Sequence, residues 1–217
     1  MTTLLYIATE FWRRIRFADR PAFQLMEYRS ESMDGAGNVL GSRRGQPKWM
    51  VSVKTRSGMH DDDVYVQGCC EALLARSGGF LAYDIRRPWP VGDADGALSQ
   101  GHAGTIRINS KGSDNRSLSL KNMPLITLQP GDLFSVRNND GYRQLFRAAE
   151  EAGITSANTT GLFQVRPFLP SWVQVDDEVA IFRPQMMFKI MADSYSVSPG
   201  AGNASGGLSF TAISVSK

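Results

Sequence analysis

Short apolar runs separated by turn residues dominate the second half of the chain. Five such runs lie within residues 131–191, and each is rich in Val, Ile, Leu, Met or Phe. Gly, Pro, Asn and Asp separate them, which is the pattern of successive β-strands joined by turns. A further alternating run from Leu208 to Val215 predicts a last strand with one buried face. Together these runs predict a β-barrel or a β-sandwich.

The first third of the chain has the same alternation, most clearly between Trp49 and Val53. One helix interrupts it, and we predict this helix at about residues 61–77. Three aspartates at its start favour the positive end of a helix dipole, and Gly78-Gly79 predicts its end. Apolar residues at helical spacing make it amphipathic: Val66, Cys69, Cys70, Leu73 and Leu74. We therefore expect a mainly β protein with barrel or sandwich-like sheets and one amphipathic helix.

The composition changes along the chain and predicts three regions. Residues 1–86 would form an N-terminal β region that includes the helix. Residues 87–130 are polar and rich in glycine, which predicts a loop-rich connection. Residues 131–217 would form a C-terminal β-barrel or sandwich that packs against the N-terminal region.

The charge composition argues against a dedicated nucleic-acid-binding protein. The 217 residues include 24 Lys and Arg against 21 Asp and Glu, and no dense basic stripe is visible. Eighteen of the basic residues are arginine, which is common at protein interfaces. No apolar run reaches the ~20 residues of a membrane-spanning helix. The two cysteines are adjacent, Cys69-Cys70, which excludes a disulfide framework and indicates a reducing compartment. We expect neither a membrane partner nor a specific nucleic-acid site.

No set of residues typical of an active site is present. Histidine occurs only at positions 60 and 102, which leaves few bases for a Ser-His-Asp or Cys-His site. The run from His60 to Asp63 is interpreted as the start of a helix rather than a metal site. Asp93-Ala94-Asp95-Gly96 resembles part of a calcium loop, but Gly104 stands where that loop needs a glutamate. We therefore predict no catalytic residues, no metal, no cofactor and no enzymatic activity.

Four residues are candidates for an interface: Arg87, Trp89, Trp172 and Arg183. Both tryptophans fall in predicted loops, where large aromatic side chains often anchor protein contacts. The same side chains can stack on sugar rings, so a carbohydrate-binding protein stays open as an alternative. A two-carboxylate hydrolase acting on cell-wall polymer also stays open, because the separation of two carboxylates is a three-dimensional quantity.

The order of these segments resembles a family of phage tail-tip proteins. The resemblance covers roughly residues 10–195 and depends on the ordered set rather than on any single motif. The matching segments are the strand with Trp49, the helix at 61–77, Gly78-Gly79, Phe80-Leu81-Ala82-Tyr83-Asp84, Pro130-Gly131-Asp132, Gly161 to Leu169, and Arg183-Pro184-Gln185-Met186.

This resemblance implies a structural protein of the distal tail or baseplate of long-tailed phages and gene transfer agents. Such a protein forms a ring, most simply of six copies, that joins the tail tube to the hub, the baseplate and the fibres. The implied partners are copies of the chain itself, the tail tube protein, and the hub and tail fibre proteins. The implied location is the tail tip of the virion, after synthesis in the host cytoplasm. A carbohydrate- or receptor-binding tail protein is the alternative within the same setting.

Overall fold

The computed structural model describes residues 7–37, 39–43, 45–57, 61–155, 158–199 and 206–215. Its strands form an open sheet, a closed barrel and a separate hairpin, so the predicted mainly β fold is confirmed. None of the helices in the described part of the chain has the length and apolar character needed to cross a membrane.

The elements are as follows. The open sheet contains β1 (Ile7–Ala8), β2 (Phe23–Met26), β5 (Lys48–Lys54), β6 (Gly79–Ala82), β13 (Met186–Ile190), β14 (Ser196–Val197) and β15 (Leu208–Ser214). The barrel contains β7 (Ile106–Lys111), β8 (Ser117–Lys121), β9 (Leu133–Arg137), β10 (Arg143–Ala148), β11 (Phe163–Arg166) and β12 (Glu178–Ala180). The hairpin consists of β3 (Arg29–Met33) and β4 (Val39–Arg43). The described helices are α1 (Phe11–Arg14), α2 (Asp61–Ala75), α3 (Ala97–Gln100) and a 3₁₀ turn at Ala192–Ser194.

The open sheet has the strand order β1-β6-β13-β15-β5-β2, and β14 pairs with β15 beside this path. Only β1 and β6 are paired in parallel. The last strand, β15, lies in the middle of the sheet and places Phe210 opposite Val53. Its alternate residues Leu208, Phe210 and Ala212 are buried, as the sequence pattern predicts. The helices α1 and α2 cover this face, and the shared core includes Phe11, Trp12, Val66, Leu73, Phe80, Phe188 and Phe210.

Helix α2 matches the predicted amphipathic helix, but its C-terminus differs from the prediction. The left-handed residue after the helix is Ser77, with φ of 50°, rather than either glycine. The backbone N–H of Gly78 then donates to the carbonyl of Leu73 over 2.8 Å, which closes the last turn. Gly79 already belongs to β6, where a Cβ would lie 3.0 Å from the backbone oxygen of Phe188. Close packing against β13, and not helix termination, therefore requires this glycine.

Both cysteines of α2 are free and buried beneath the helix. Burial, with the neighbouring Cys69 and Glu71, raises the pKa of the Cys70 thiol to about 12. A thiol that stays protonated in an apolar core is unreactive, so Cys70 serves as core packing, and Cys69 belongs to the same buried cluster.

The barrel closes in the order β10-β11-β8-β7-β12-β9. Inward and outward residues alternate along each strand, and the inward residues fill the barrel. The interior includes Ile106, Ile108, Leu118, Leu120, Phe134, Val136, Phe146, Phe163 and Val179.

Strand pairing departs from the division predicted at residues 87 and 131. The barrel takes β7 and β8 from the segment predicted as a polar connection, 87–130, and ends at β12. After β12 the chain returns to the open sheet as β13, β14 and β15, so 131–217 does not form one barrel. The apolar residues of β7 and β8 occupy only every second position, and long polar runs flank both strands. The sequence signal for these two strands was therefore weak.

The barrel packs against the open sheet at Trp49, which is completely buried. Its indole Nε1 donates to the carbonyl oxygen of Leu145 in β10 over 2.8 Å. Leu133 and Leu145 point out of the barrel and belong to the core of the sheet. The guanidinium of Arg147 lies 5.0 Å from the Trp49 ring centroid and covers the contact. The two units thus share apolar packing and a buried hydrogen bond.

Candidate interaction surfaces

Two connecting segments join the sheet and the barrel side by side, residues 83–105 on the way in and 181–185 on the way out. Trp89 of the first stacks on Phe182 of the second, with ring planes 7° apart and centroids 6.3 Å apart. The backbone N–H of Arg183 donates to the carbonyl of Pro88. Gly96 must be a glycine here, because a Cβ at its φ of 76° would lie 2.8 Å from the Trp89 ring. Trp89 is therefore half-buried and joins the two connections, and its role in an interface stays a prediction.

Arg87 and Arg183 remain exposed beside this stack. The guanidinium of Arg183 lies 5.0 Å from the Phe182 ring centroid and 5.8 Å from that of Tyr83. Arg87 Nη1 lies 3.5 Å from the carbonyl oxygen of Gly131, a long contact that leaves most of its donors available. Three of the four predicted interface residues, Arg87, Trp89 and Arg183, thus lie in the same pair of connections.

Buried aspartates fix the path of the first connection. Asp84 accepts hydrogen bonds from the backbone N–H of Arg86 and from its guanidinium, at 2.8–3.2 Å. The hydrogen bond to Asp84 raises the pKa of Arg86. Asp132 accepts from the backbone N–H groups of Val91 and Gln129 at 3.0 and 2.8 Å, and so ties the connection to the start of β9.

Asp93 organises the turn that precedes α3. Its carboxylate accepts from the N–H and hydroxyl of Ser99, at 2.7 and 2.6 Å, and from the N–H of Leu98 at 3.3 Å. Burial acts to raise the pKa of Asp93, but these hydrogen bonds outweigh it and lower the pKa below its ordinary value. Asp95 accepts from the N–H of Ala97, so the Asp93–Gly96 segment is a turn, as predicted.

Trp172, the fourth candidate, lies elsewhere. It is half-buried against the barrel core, with its ring centroid 5.9 Å from that of Tyr142. It lines a groove of about 460 Å³ together with Pro47, Pro167 and Phe168. The structure therefore separates this tryptophan from the Arg87–Trp89–Arg183 group.

The hairpin β3–β4 is a further candidate surface, which the sequence pattern did not single out. Among the described residues, its two strands pair with each other and with no further strand. Met33 at its tip is 74% exposed, and Met26 and Tyr28 near its base are also exposed. The glycine-rich run at 34–38 is typical of a turn, most simply a hairpin or longer loop, but nothing in the sequence indicates that the hairpin joins neither sheet nor barrel.

A row of charged residues crosses the outside of the barrel, and the sequence pattern did not predict it either. We call it the basic row, and it consists of Arg143, Arg137, Glu178, Arg107 and Lys121 on five neighbouring strands. These residues are far apart in sequence and become neighbours only through strand register. Arg137, Arg143 and Glu178 also line a groove of about 330 Å³ beside Ser99 and His102.

The described part of the chain holds no group of three or more His, Cys, Asp or Glu side chains placed to bind a metal ion. The run from His60 to Asp63 was interpreted as the start of a helix rather than a metal site. His60 lies outside the described residues, so this interpretation stays a prediction for that residue. Comparison of the chain with protein-family models gives no match, and comparison with curated proteins gives none either.

Proposed function

We propose that this chain is a structural subunit of a phage tail tip. In this proposal, copies of the chain form a ring that connects the tail tube to the hub, the baseplate and the fibres. The subunit is made in the host cytoplasm and works in the virion. It needs no cofactor and performs no catalysis.

The observation that supports this proposal most directly is the separate hairpin β3–β4. A two-stranded hairpin alone is marginally stable in water, and its outer edges present unpaired backbone N–H and C=O groups. Met33 adds an exposed apolar side chain at the tip. A neighbouring molecule that covers the hairpin would satisfy both the backbone groups and the apolar surface.

In this proposal the hairpin contacts a different surface on the next copy. Such a heterologous contact produces a ring when the rotation between copies closes. Among the described residues, β1 and β2 are the edge strands of the open sheet, and each is a candidate acceptor because a further strand can pair there. The ring and its six copies come from the resemblance to tail-tip proteins, and each contact should bury well over ~1,000 Å².

Imaging of the assembled tail tests the proposal. We expect six copies of the chain in a closed ring at the end of the tube. A monomer or a two-fold dimer at this position would overturn it.

A pair of matched variants tests the hairpin itself. Met33→Glu should abolish ring formation without lowering the melting temperature of the free subunit, because Met33 is exposed there. Leu162→Glu, at a similarly exposed leucine outside the hairpin (61% exposed), is the control and should leave the ring intact. Equal effects of the two variants on ring formation would show that the hairpin does not form the contact between copies.

A carbohydrate- or receptor-binding tail protein is the second candidate, and the Trp172 groove favours it. An aromatic ring beside a shallow groove suits the apolar face of a sugar. Titration of the free chain with purified host-surface polysaccharide tests this function. Saturable binding that Trp172→Phe weakens, together with a tail that contains no ring of this chain, would favour the second candidate over the first.

A further inference from the structure

We infer that the basic row on the outside of the barrel binds an acidic segment of a partner protein. The inference rests on the proposed function, since it names the chemistry of one partner within the tail. It concerns a surface of the barrel, and the hairpin has no part in it.

Strand register brings the basic row together. Arg143 lies directly opposite Arg137, Arg137 opposite Glu178, Glu178 opposite Arg107, and Arg107 opposite Lys121. Residues directly opposite each other share one face of the sheet, and the inward neighbours Val136, Val179 and Ile108 show that this is the outer face. With a strand spacing of about 4.8 Å, the row extends roughly 19 Å around the barrel.

The charges of the row are balanced at one end only. Lys121 pairs with Asp176, and Arg107 lies 4.0 Å from Glu178. Arg137 and Arg143 form no ion pair within the described residues. Arg143 donates to the side chain of Gln185 at 3.2 Å, which supplies hydrogen bonding but no negative charge. Glu178, which lies directly opposite Arg137 and attracts Arg143, is also the partner of Arg107, so one carboxylate serves three guanidinium groups.

This arrangement is unfavourable in the free subunit. Like charges directly opposite each other on neighbouring strands destabilise a sheet. Arg143 is also half-buried, and burial together with the charge of Arg137 lowers its pKa, although Glu178 acts in the opposite direction. An anionic ligand between the two guanidinium groups would add a second negative charge beside them.

The geometry favours a carboxylate as the ligand. A guanidinium presents a planar set of N–H donors that matches the two oxygens of a carboxylate. The groove beside Arg137 and Arg143 is about 330 Å³, which accommodates a side chain but not a folded domain. Glu178, Ser99 and His102 also line this groove.

The position of Glu178 favours a protein over a nucleic acid. Glu178 lies between Arg137 and Arg107, and Asp176 lies beside Lys121. A continuous row of phosphates would be repelled at both carboxylates. A protein segment can place its own carboxylates over Arg137 and Arg143 and a neutral or basic residue over Glu178.

The experiment uses the full-length chain and a fluorescein-labelled decapeptide of alternating glutamate and serine, followed by fluorescence anisotropy at low ionic strength. Arg137→Glu should weaken binding at least ~10-fold, as expected for loss of a charge-assisted bidentate contact and introduction of repulsion. Arg143→Gln should weaken it by roughly 3- to 10-fold, because one partner of the pair remains. Arg20→Glu, an exposed arginine outside the row with the same charge change, is the matched control and should change binding less than ~2-fold.

Two further probes identify the class of ligand. A decapeptide of alternating lysine and serine should not bind, and a ten-nucleotide single strand of thymidylate should bind more weakly than the glutamate peptide. Absence of glutamate-peptide binding, equal loss with Arg20→Glu, or tighter binding of the thymidylate strand would each overturn the inference. Arg137→Gln is the second variant if Arg137→Glu does not fold, and its melting temperature is measured alongside.

The inference and the proposed function can fail separately. A ring in the imaged tail without any peptide binding would leave the proposed function intact and end the inference. Peptide binding that depends on Arg137, in a chain that forms no ring, would support the inference and overturn the proposed function.

Discussion

The open sheet takes its strands from both ends of the chain, whereas the barrel uses one continuous stretch between β7 and β12. In the sheet, Phe210 pairs with Val53, more than 150 residues away in sequence. In the barrel, strands such as β9 and β10 pair across short turns. Because contacts between distant segments are slower to form, we expect the barrel to fold first and the sheet to be completed later.

The two units also differ in their edges. The barrel is closed, so its backbone groups are paired around the ring of strands and only side chains are presented to a partner. The sheet ends at β1 and β2, and the hairpin β3–β4 lies beyond β2 in the chain. The two units therefore expose different surfaces: strand edges and apolar side chains at the sheet and hairpin, and charged side chains on the barrel.

Removal of β15 should have the largest effect on the difference between the two units. Deleting residues 207–217 separates β13 from β5 and exposes the core that Leu208 and Phe210 complete. Loss of these two side chains alone costs on the order of 3–6 kcal/mol, comparable to the whole stability of a domain. We expect the sheet to lose its cooperative transition in differential scanning calorimetry while hydrogen exchange still protects the barrel amides.

Ser209→Ala, on the other face of β15, is the control for the truncation and should melt close to the parent chain. An unchanged melting temperature after the truncation would show that the sheet does not need its central strand.

Trp49→Ala tests whether the two units unfold together. Trp49 is completely buried, and its indole N–H bonds to the barrel through Leu145. The cavity should cost about 3–5 kcal/mol, and the loss should uncouple the two transitions in chemical denaturation. Trp49→Phe keeps a ring but removes the N–H donor, and should cost about 1–3 kcal/mol. If the sheet and the barrel of the Trp49→Ala variant still unfold in one coincident transition, other contacts couple the two units.

Asp93→Asn tests the connection between the units, and its effect depends on pH. The carboxylate accepts three hydrogen bonds at the start of α3, and an amide can accept them at one atom only, so the cost should be about 1–3 kcal/mol at neutral pH. The folded pKa of Asp93 lies below the ordinary value of 3.8, so its ionised form stabilises the fold above that value. This contribution is lost as the pH falls below 3.8 and through the folded pKa.

The free energy of unfolding, measured by urea denaturation, should therefore differ most between Asp93→Asn and the parent chain near neutral pH. The difference should narrow in acid. Asp19→Asn, at an exposed aspartate, is the control. A difference that stays constant down to acid pH would contradict the assigned role of the carboxylate.

Arg137→Gln has the smallest expected effect. It removes the repulsion from Arg143 on one neighbouring strand and the attraction to Glu178 on the other, so the two contributions offset and the free energy of unfolding should change by less than ~0.5 kcal/mol at low ionic strength. Added salt should make this difference smaller still, because the charges are at the surface. Thermal unfolding at two salt concentrations measures it, with Arg20→Gln as the control.

The sequence predicted those parts of the fold whose evidence is local. Alternation identified β5 and β15, and helical spacing identified α2, because one buried face imposes a period on each element. An apolar run between turn residues identified β9, which is buried on both faces. It did not identify the division between sheet and barrel. Nothing local distinguishes β12, which closes the barrel, from β13, which enters the sheet, since both are short apolar runs after polar turns.

The interaction surfaces were less predictable for the same reason. Arg87, Trp89 and Arg183 were found from residue type, and the structure brings them together, but it also buries half of Trp89 against Phe182. Arg143, Arg137, Glu178 and Arg107 looked like unrelated surface charges in the sequence. Their proximity depends on register, which is set by pairing across the whole barrel.

The adjacency of β6 and β13 gives the barrel the character of an insertion. Ala82 lies opposite Met186, so the chain leaves the sheet and returns to it at neighbouring positions. A short turn between these strands would convert them into an ordinary hairpin and leave every pairing of the open sheet unchanged. The barrel could therefore be deleted or replaced by another closed domain whose two ends lie equally close together. In either case the new segment must cover Trp49.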